Sequence, residues 1–109
     1  MDKLAYITIL YDLYGSLLTE KQQQIWQMFY NDDLSLAEIA AEMNISRQAV
    51  HDSNRRAEEM LKEYEEKLGL YAALEDKIKV RSALEQAVRD KNWQQVQQAL
   101  DLLKDNSAF

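Results

Sequence analysis

Ser35-Leu36-Ala37-Glu38-Ile39-Ala40-Ala41-Glu42-Met43-Asn44-Ile45-Ser46-Arg47-Gln48-Ala49-Val50 is the stretch that decides the fold. A serine followed three residues later by glutamate is a capping box, so a short helix opens at Ser35 and turns Leu36, Ile39, Ala40 and Met43 inward. Asn44 falls where the chain must turn, and asparagine tolerates the left-handed backbone usually left to glycine. Ile45 is apolar beyond the turn, and Ser46 caps a fresh helix through Arg47, Gln48, Ala49 and Val50. A two-turn helix, a tight turn and a newly capped helix make a helix-turn-helix pattern. Small Ala40 lets the two helices approach closely, while Ile45 and Val50 close the core of the unit.

Upstream, Leu4, Ile7, Tyr11 and Tyr14 recur at three-four-three spacing with Leu10 beside them, one apolar face of a first helix that stops at Gly15. Thr19-Glu20-Lys21-Gln22 has capping-box form and opens a second helix, whose Ile25, Trp26, Met28, Phe29 and Tyr30 are mostly buried. Asn31, Asp32 and Asp33 read as a loop. Downstream, Val50, Ala57, Leu61, Tyr64 and Leu68 keep a heptad-like stripe that Tyr71, Leu74 and Ile78 continue. Gly69 sits where a helix would end, yet a longer rod would tolerate it. A further helix carries Leu74, Ile78, Leu84 and Val88 until Asp90-Lys91-Asn92 breaks it. Trp93, Val96, Leu100 and Leu103 mark the closing helix, and Ser107-Ala108-Phe109 reads as a frayed end. There is no internal repeat and no low-complexity segment.

Composition agrees with helices throughout. In 109 residues there is no proline, only two glycines and 47% hydrophobic residues, which suits an all-α domain with its own core rather than a sandwich or a nucleotide-binding α/β fold. The absence of cysteine excludes disulfides, thiolate metal sites and cysteine nucleophiles. No apolar run approaches the roughly 20 residues needed to span a bilayer and no signal-peptide pattern opens the chain, so a cytoplasmic protein without membrane insertion is expected. Net charge is −6, and it is unevenly placed. Residues 1–69 hold seven basic and thirteen acidic side chains, whereas residues 70–109 hold six of each. Tight nucleic-acid binding would therefore come from a local patch in an acidic field.

Catalysis has no constellation behind it. The one histidine, His51, lies early in the helix after the turn with no activating partner in the pattern, and there is no P-loop, GxGxxG or metal-ligand spacing. Asp32-Asp33 and Glu65-Glu66 are adjacent pairs that do not face one another and read as solvated charge. No catalytic residue, metal or cofactor is expected. In a helix-turn-helix, by contrast, the first turns of the second helix reach base edges. Here those positions hold Ser46, Arg47, Gln48, His51 and Asp52, with Arg55, Arg56 and Lys21 placed for phosphates. Arginine grips guanine bidentately, glutamine pairs with adenine, and a carboxylate accepts from cytosine. Glu58, Glu59, Glu63, Glu65 and Glu66 follow at once and oppose phosphate attraction. A trihelical scaffold serving protein contacts is the competing reading of the same residues.

Leu18-Thr19-Glu20-Lys21-Gln22, Leu34 to Ala40, Ile45 to Val50 and Arg56-Ala57-Glu58 resemble the promoter-reading fourth region of bacterial sigma factors. The resemblance is closer still to the YlxM-like family of small helix-turn-helix proteins. That family's acidic dipeptide, Ser-Leu-Ala-Glu-Ile-Ala, Ser-Arg-Gln-Ala-Val and Tyr-Glu-x-Lys-Leu match Asp32 to Leu68 almost throughout, and the likeness covers residues 4–75. It implies a winged-helix-like, sigma-fourth-region-like core and a regulatory role in the signal recognition particle pathway, with the particle's GTPase, its RNA, or both as partners. Relatives commonly carry tyrosine where this chain has His51.

These readings combine into an all-α protein, with a helix-turn-helix domain at residues 1–68 and a helical C-terminal arm at 69–109. The expected function is non-enzymatic and regulatory, acting by binding. Its alternative is a transcriptional regulator reading DNA with the Arg47–Arg56 helix. The candidate nucleic-acid-binding residues are Ser46, Arg47, Gln48, His51, Arg55 and Arg56. The stripe from Leu61 to Leu74 outruns what a three-helix core covers, so it packs on the C-terminal arm, on a second copy, or on both, and a homodimer is the expected form.

Overall fold

Side-chain caps set the helix boundaries of the first part of the chain. In the computed structural model, which describes residues 1–105, α1 (Lys3–Tyr14) opens at Asp2, whose carboxylate accepts the Ala5 N–H at 2.8 Å. A single 3₁₀ turn at Gly15–Leu17 leads to α2 (Glu20–Tyr30). Both halves of the Thr19–Gln22 capping box are made, at 3.0 and 3.1 Å. The Ser35–Glu38 box opens α3 (Leu36–Met43) in the same way. Asn44 then adopts the left-handed conformation (φ 55°, ψ 47°), and the Ile45 N–H returns to the Ala40 carbonyl at 3.0 Å. Ser46 Oγ accepts the Ala49 N–H at 3.0 Å to start α4 (Arg47–Leu68). Gly69, at φ +64°, ends it, so the reading of one longer rod is excluded. The chain continues as α5 (Leu70–Arg89), turns through Lys91 at φ 54°, and closes with α6 (Trp93–Asp105).

Met1–Gly69 forms one compact unit and the chain from Leu70 onward another. In the first unit α4 packs against each of α1, α2 and α3. Its core contains Ile7, Leu10, Tyr14, Leu18, Ile25, Trp26, Ile39, Ala40, Val50, Ala57 and Leu61. Around the helix-turn-helix, Ile25, Ile39, Ala40 and Val50 form the buried cluster, with Leu36, Met43 and Ile45 half-buried against it. Trp26 is stacked on Tyr11 with ring centroids 5.2 Å apart and touches Tyr30 at 4.4 Å. Gly15 stops α1 without a positive φ. Its role is one of space, because a Cβ there would meet the Tyr11 ring at 2.9 Å.

Several single positions differ from their sequence reading. Leu4 starts the right stripe but is 57% exposed, in the first turn of α1. Leu68 is 54% exposed because α4 outlasts the helices it covers. The acidic pair Glu65-Glu66 also separates. Glu66 is exposed as expected, but Glu65 is half-buried and accepts the Tyr14 hydroxyl at 2.6 Å, a bond between the first and last helices of the unit. No strand occurs among the described residues, so the winged-helix-like expectation is corrected to helices alone. Ser107-Ala108-Phe109 lies outside the described residues.

The second unit is a hairpin of α5 on α6. Val80 and Ala87 of α5 and Ala99 of α6 are buried, with Leu84, Val96 and Leu103 half-buried. Leu74, Ile78 and Val88, the apolar positions that the sequence marks on this helix together with Leu84, are exposed. The inward face lies one residue away, so Leu84 alone of that set turns toward α6's side of the helix. Trp93 (65%) and Leu100 (44%) are likewise exposed, because α6 meets α5 through small Ala99. No helix among the described residues is long and apolar enough to cross a membrane.

Candidate nucleic-acid interface

The turn at Asn44 and the cap at Ser46 present the start of α4 to solvent. Val50, Asn54, Ala57 and Leu61 hold this helix down at three-four spacing, and the opposite side carries Arg47, Gln48, His51, Asp52, Arg55 and Arg56, all exposed. Arg47, Gln48 and His51, together with Leu36 of α3, line one open depression of about 450 Å³. The two helices of the motif therefore build this depression together, with a cation, an amide and an imidazole along one wall. Ser46 Oγ accepts the Ala49 N–H with one lone pair, which leaves its hydroxyl proton and its second lone pair to present.

Hydrogen bonds restrain the side chains that would read a base. Gln48 Nε2 donates to Asp52 Oδ1 at 2.9 Å, and His51 Nδ1 lies 3.6 Å from the same oxygen. Asp52 thus orients Gln48 and sets a carboxylate beside His51. Arg55 and Arg56, adjacent in sequence, part company on the helix. Arg55 joins His51 on the wall of a second cleft of about 300 Å³, with Lys3, Phe29, Tyr30, Asn54 and Glu58. Arg56 turns to the other flank and lies 3.8 Å from Glu59. Lys21 is exposed in the first turn of α2.

The second cleft was not legible in the sequence, because its walls come from α1, α2 and α4. Glu58 Oε1 lies 3.3 Å from Lys3 Nζ and 3.8 Å from Lys62 Nζ, yet neither contact is aligned as a hydrogen bond. Asn54, 9% exposed, keeps its Oδ1 without a hydrogen-bond partner among the described residues. Burial first, and the Glu58 charge second, push the Tyr30 hydroxyl above its ordinary pKa, so it stays a neutral donor. Under α3, the Ser35 N–H and then its hydroxyl hold the Glu38 carboxyl below the ordinary glutamate range. Among the described residues no group of three or more His, Asp or Glu side chains is placed to hold a metal ion.

Comparison with known proteins agrees with the motif. Residues 1–103 match the UPF0122 family model, described as "Putative helix-turn-helix protein, YlxM / p13 like". A UPF0122 protein of Halalkalibacterium halodurans is 49% identical over 88 residues, which is 81% of each chain. One from Oceanobacillus iheyensis is 42% identical over 105 residues, covering 96% of this chain and 97% of its own. One from Listeria welshimeri is 42% identical over 106 residues, covering 95% and 96%. The likeness thus runs through both units and includes the α5–α6 hairpin.

Proposed function

The chain belongs to the UPF0122 family of YlxM/p13-like helix-turn-helix proteins, and from that premise we propose that it is a non-enzymatic regulatory protein that acts by binding nucleic acid. The observation that carries the reading is the wall of Arg47, Gln48 and His51 on a capped α4, exposed beside Leu36. Arg55 supplies phosphate attraction on the same helix, and Arg56 supplies it on the opposite flank. We assign the partner, on the resemblance to YlxM-like proteins, to the signal recognition particle, through its RNA, its GTPase, or both. The second reading is a sequence-specific reader of duplex DNA with a sigma-fourth-region-like core. It is favoured by the residue types at the start of α4, since Arg and Gln are the bidentate readers of guanine and adenine.

Titration of the purified protein against the particle's RNA, its GTPase and random duplex DNA, each at two salt concentrations, separates these readings. The −6 charge makes non-specific duplex binding weak, near the roughly 10⁻⁴ M edge at physiological salt. If Arg47, Arg55 and Arg56 neutralise three phosphates, duplex affinity falls roughly 40-fold between 50 and 200 mM salt. The double substitution Arg55→Glu, Arg56→Glu abolishes nucleic-acid binding while circular dichroism stays unchanged, since both side chains face water. A folded double variant that binds RNA and DNA as the wild type does removes α4 from the recognition surface.

A further inference from the structure

Helix α5 carries two heptad stripes side by side. Residues 73, 77, 80, 84 and 87 alternate at four-three spacing and include the buried Val80 and Ala87. One residue on, Leu74, Ile78, Arg81, Glu85 and Val88 repeat the same spacing, and all five are exposed. A four-three alternation keeps side chains on a single seam, the geometry with which one helix meets another. Leu74, Ile78 and Val88 are 42%, 55% and 49% exposed, and Arg81 Nε donates to Glu85 Oε1 at 2.9 Å in the middle of the seam.

We infer that this seam is a homodimer interface, pairing with the same seam of a second copy in antiparallel orientation. The order of residue types decides both points. With a two-fold axis midway between positions 81 and 85, Arg81 faces the partner's Glu85 and Glu85 faces the partner's Arg81. Ile78 then meets the partner's Val88, and Val88 meets the partner's Ile78, so apolar layers flank a central ring of four alternating charges. A parallel, in-register pair would set arginine against arginine and glutamate against glutamate, which is repulsive at both layers. The antiparallel register also carries Leu74 toward the end of the partner helix, where the 65%-exposed Trp93 begins α6. Charge supports a copy as the occupant. Residues 70–109 have six basic and six acidic side chains, so two of them meet without net repulsion, whereas residues 1–69 carry the whole −6. The seam differs from the Leu61–Leu74 stripe expected from sequence, which is interrupted at Gly69 and has Leu61 in the core.

The test is sedimentation of the full chain over about 1–200 μM, a range suited to a short, concentration-dependent interface. Wild type is expected to dimerise within it. Arg81→Glu alone and Glu85→Arg alone each weaken association by about 10-fold or more, because like charges then face across the axis. The double swap Arg81→Glu, Glu85→Arg restores association to within about 3-fold, since both the ring and the intrahelical pair are re-formed with signs exchanged. Circular dichroism of each variant monitors folding. Orientation is read separately by mixing Ile78→Cys chains with Val88→Cys chains and oxidising, which is clean in a chain without native cysteine. The mixed disulfide is expected to exceed both homodisulfides. A wild type monomeric across the range overturns the inference, as does a double swap no tighter than the single variants. Dimers indifferent to the single swaps, or homodisulfides that match the mixed product, place the contact elsewhere and overturn it as well.

Discussion

The two units of this chain solve the burial problem differently. Residues 1–69 enclose large side chains, with Leu10, Tyr14, Ile25, Trp26, Ile39 and Leu61 almost inaccessible to water. Leu70 onward buries Val80, Ala87 and Ala99, and leaves Leu74, Ile78, Val88, Trp93, Leu100 and Leu102 at the surface. The first unit has a fourth helix that covers three others, so a central face is available to every apolar stripe. A two-helix hairpin has no such centre. Each helix finds one neighbour, small residues let the pair approach, and a second apolar stripe on each helix stays uncovered. Charge follows the same division, with the acidic surplus on the closed unit and a balanced set on the open one.

The strongest way to break this contrast is to carve equivalent holes in both cores. Leu61→Ala, at a fully buried position, should cost about 3–4 kcal/mol, against about 1–2 kcal/mol for Val80→Ala, whose site is shallower and loses less volume. Denaturant titration followed by circular dichroism gives both values; equal losses would mean that the two cores are alike. Next in size is Gly15→Ala. The added methyl meets a Tyr11 ring held by stacking on Trp26 and by the Gln27 amide at 3.0 Å, so a loss of about 1–3 kcal/mol is expected in the first unit. Ser46→Ala removes the acceptor for the Ala49 N–H and should cost about 1 kcal/mol, visible as a lower unfolding midpoint.

The smallest effect concerns pH. The Glu38 carboxyl titrates below its ordinary value of 4.5 when folded, so its contribution is present above that value and is lost as pH falls through the folded one. Glu38→Gln should therefore flatten the stability profile below about pH 4.5 and leave the slope at neutral pH unchanged. Thermal melts between pH 3 and 7 test it. A variant with the same acid slope as wild type would detach this carboxylate from the α3 cap.

Legibility in the sequence tracked the range of each interaction. The Thr19–Gln22 and Ser35–Glu38 boxes, the left-handed Asn44 and the Ser46 cap are settled within three residues, and each was readable. The α5 face was not, because two apolar stripes with the same period lie one residue apart. Only the position of α6 decides which is inside, so the exposure of Leu74, Ile78 and Val88 has no local signal. Glu65 escaped for a related reason, its partner Tyr14 being 51 residues away. At the candidate interface the residue types were legible, whereas the cleft that Arg55 enters depends on the packing of α4 against α1 and α2. The cleft of Lys3, Tyr30 and Glu58 left no local trace.

The dependence of α1, α2 and α3 on α4 has a consequence for synthesis. A ribosome delivers this chain from its N-terminus, so the helices that lack a partner emerge first and the helix that unites them emerges last. Until Leu61 and Glu65 are outside the exit tunnel, Leu10, Tyr14 and Ile25 have no settled place to go. At about 5–20 residues added per second, that waiting interval lasts seconds, far longer than helix formation itself. The nascent segment is then an apolar client for whatever holds unfinished chains. Its release waits for α4 to clear the exit tunnel, so slow codons beyond Gly69, translated while α4 is still enclosed, prolong the exposure.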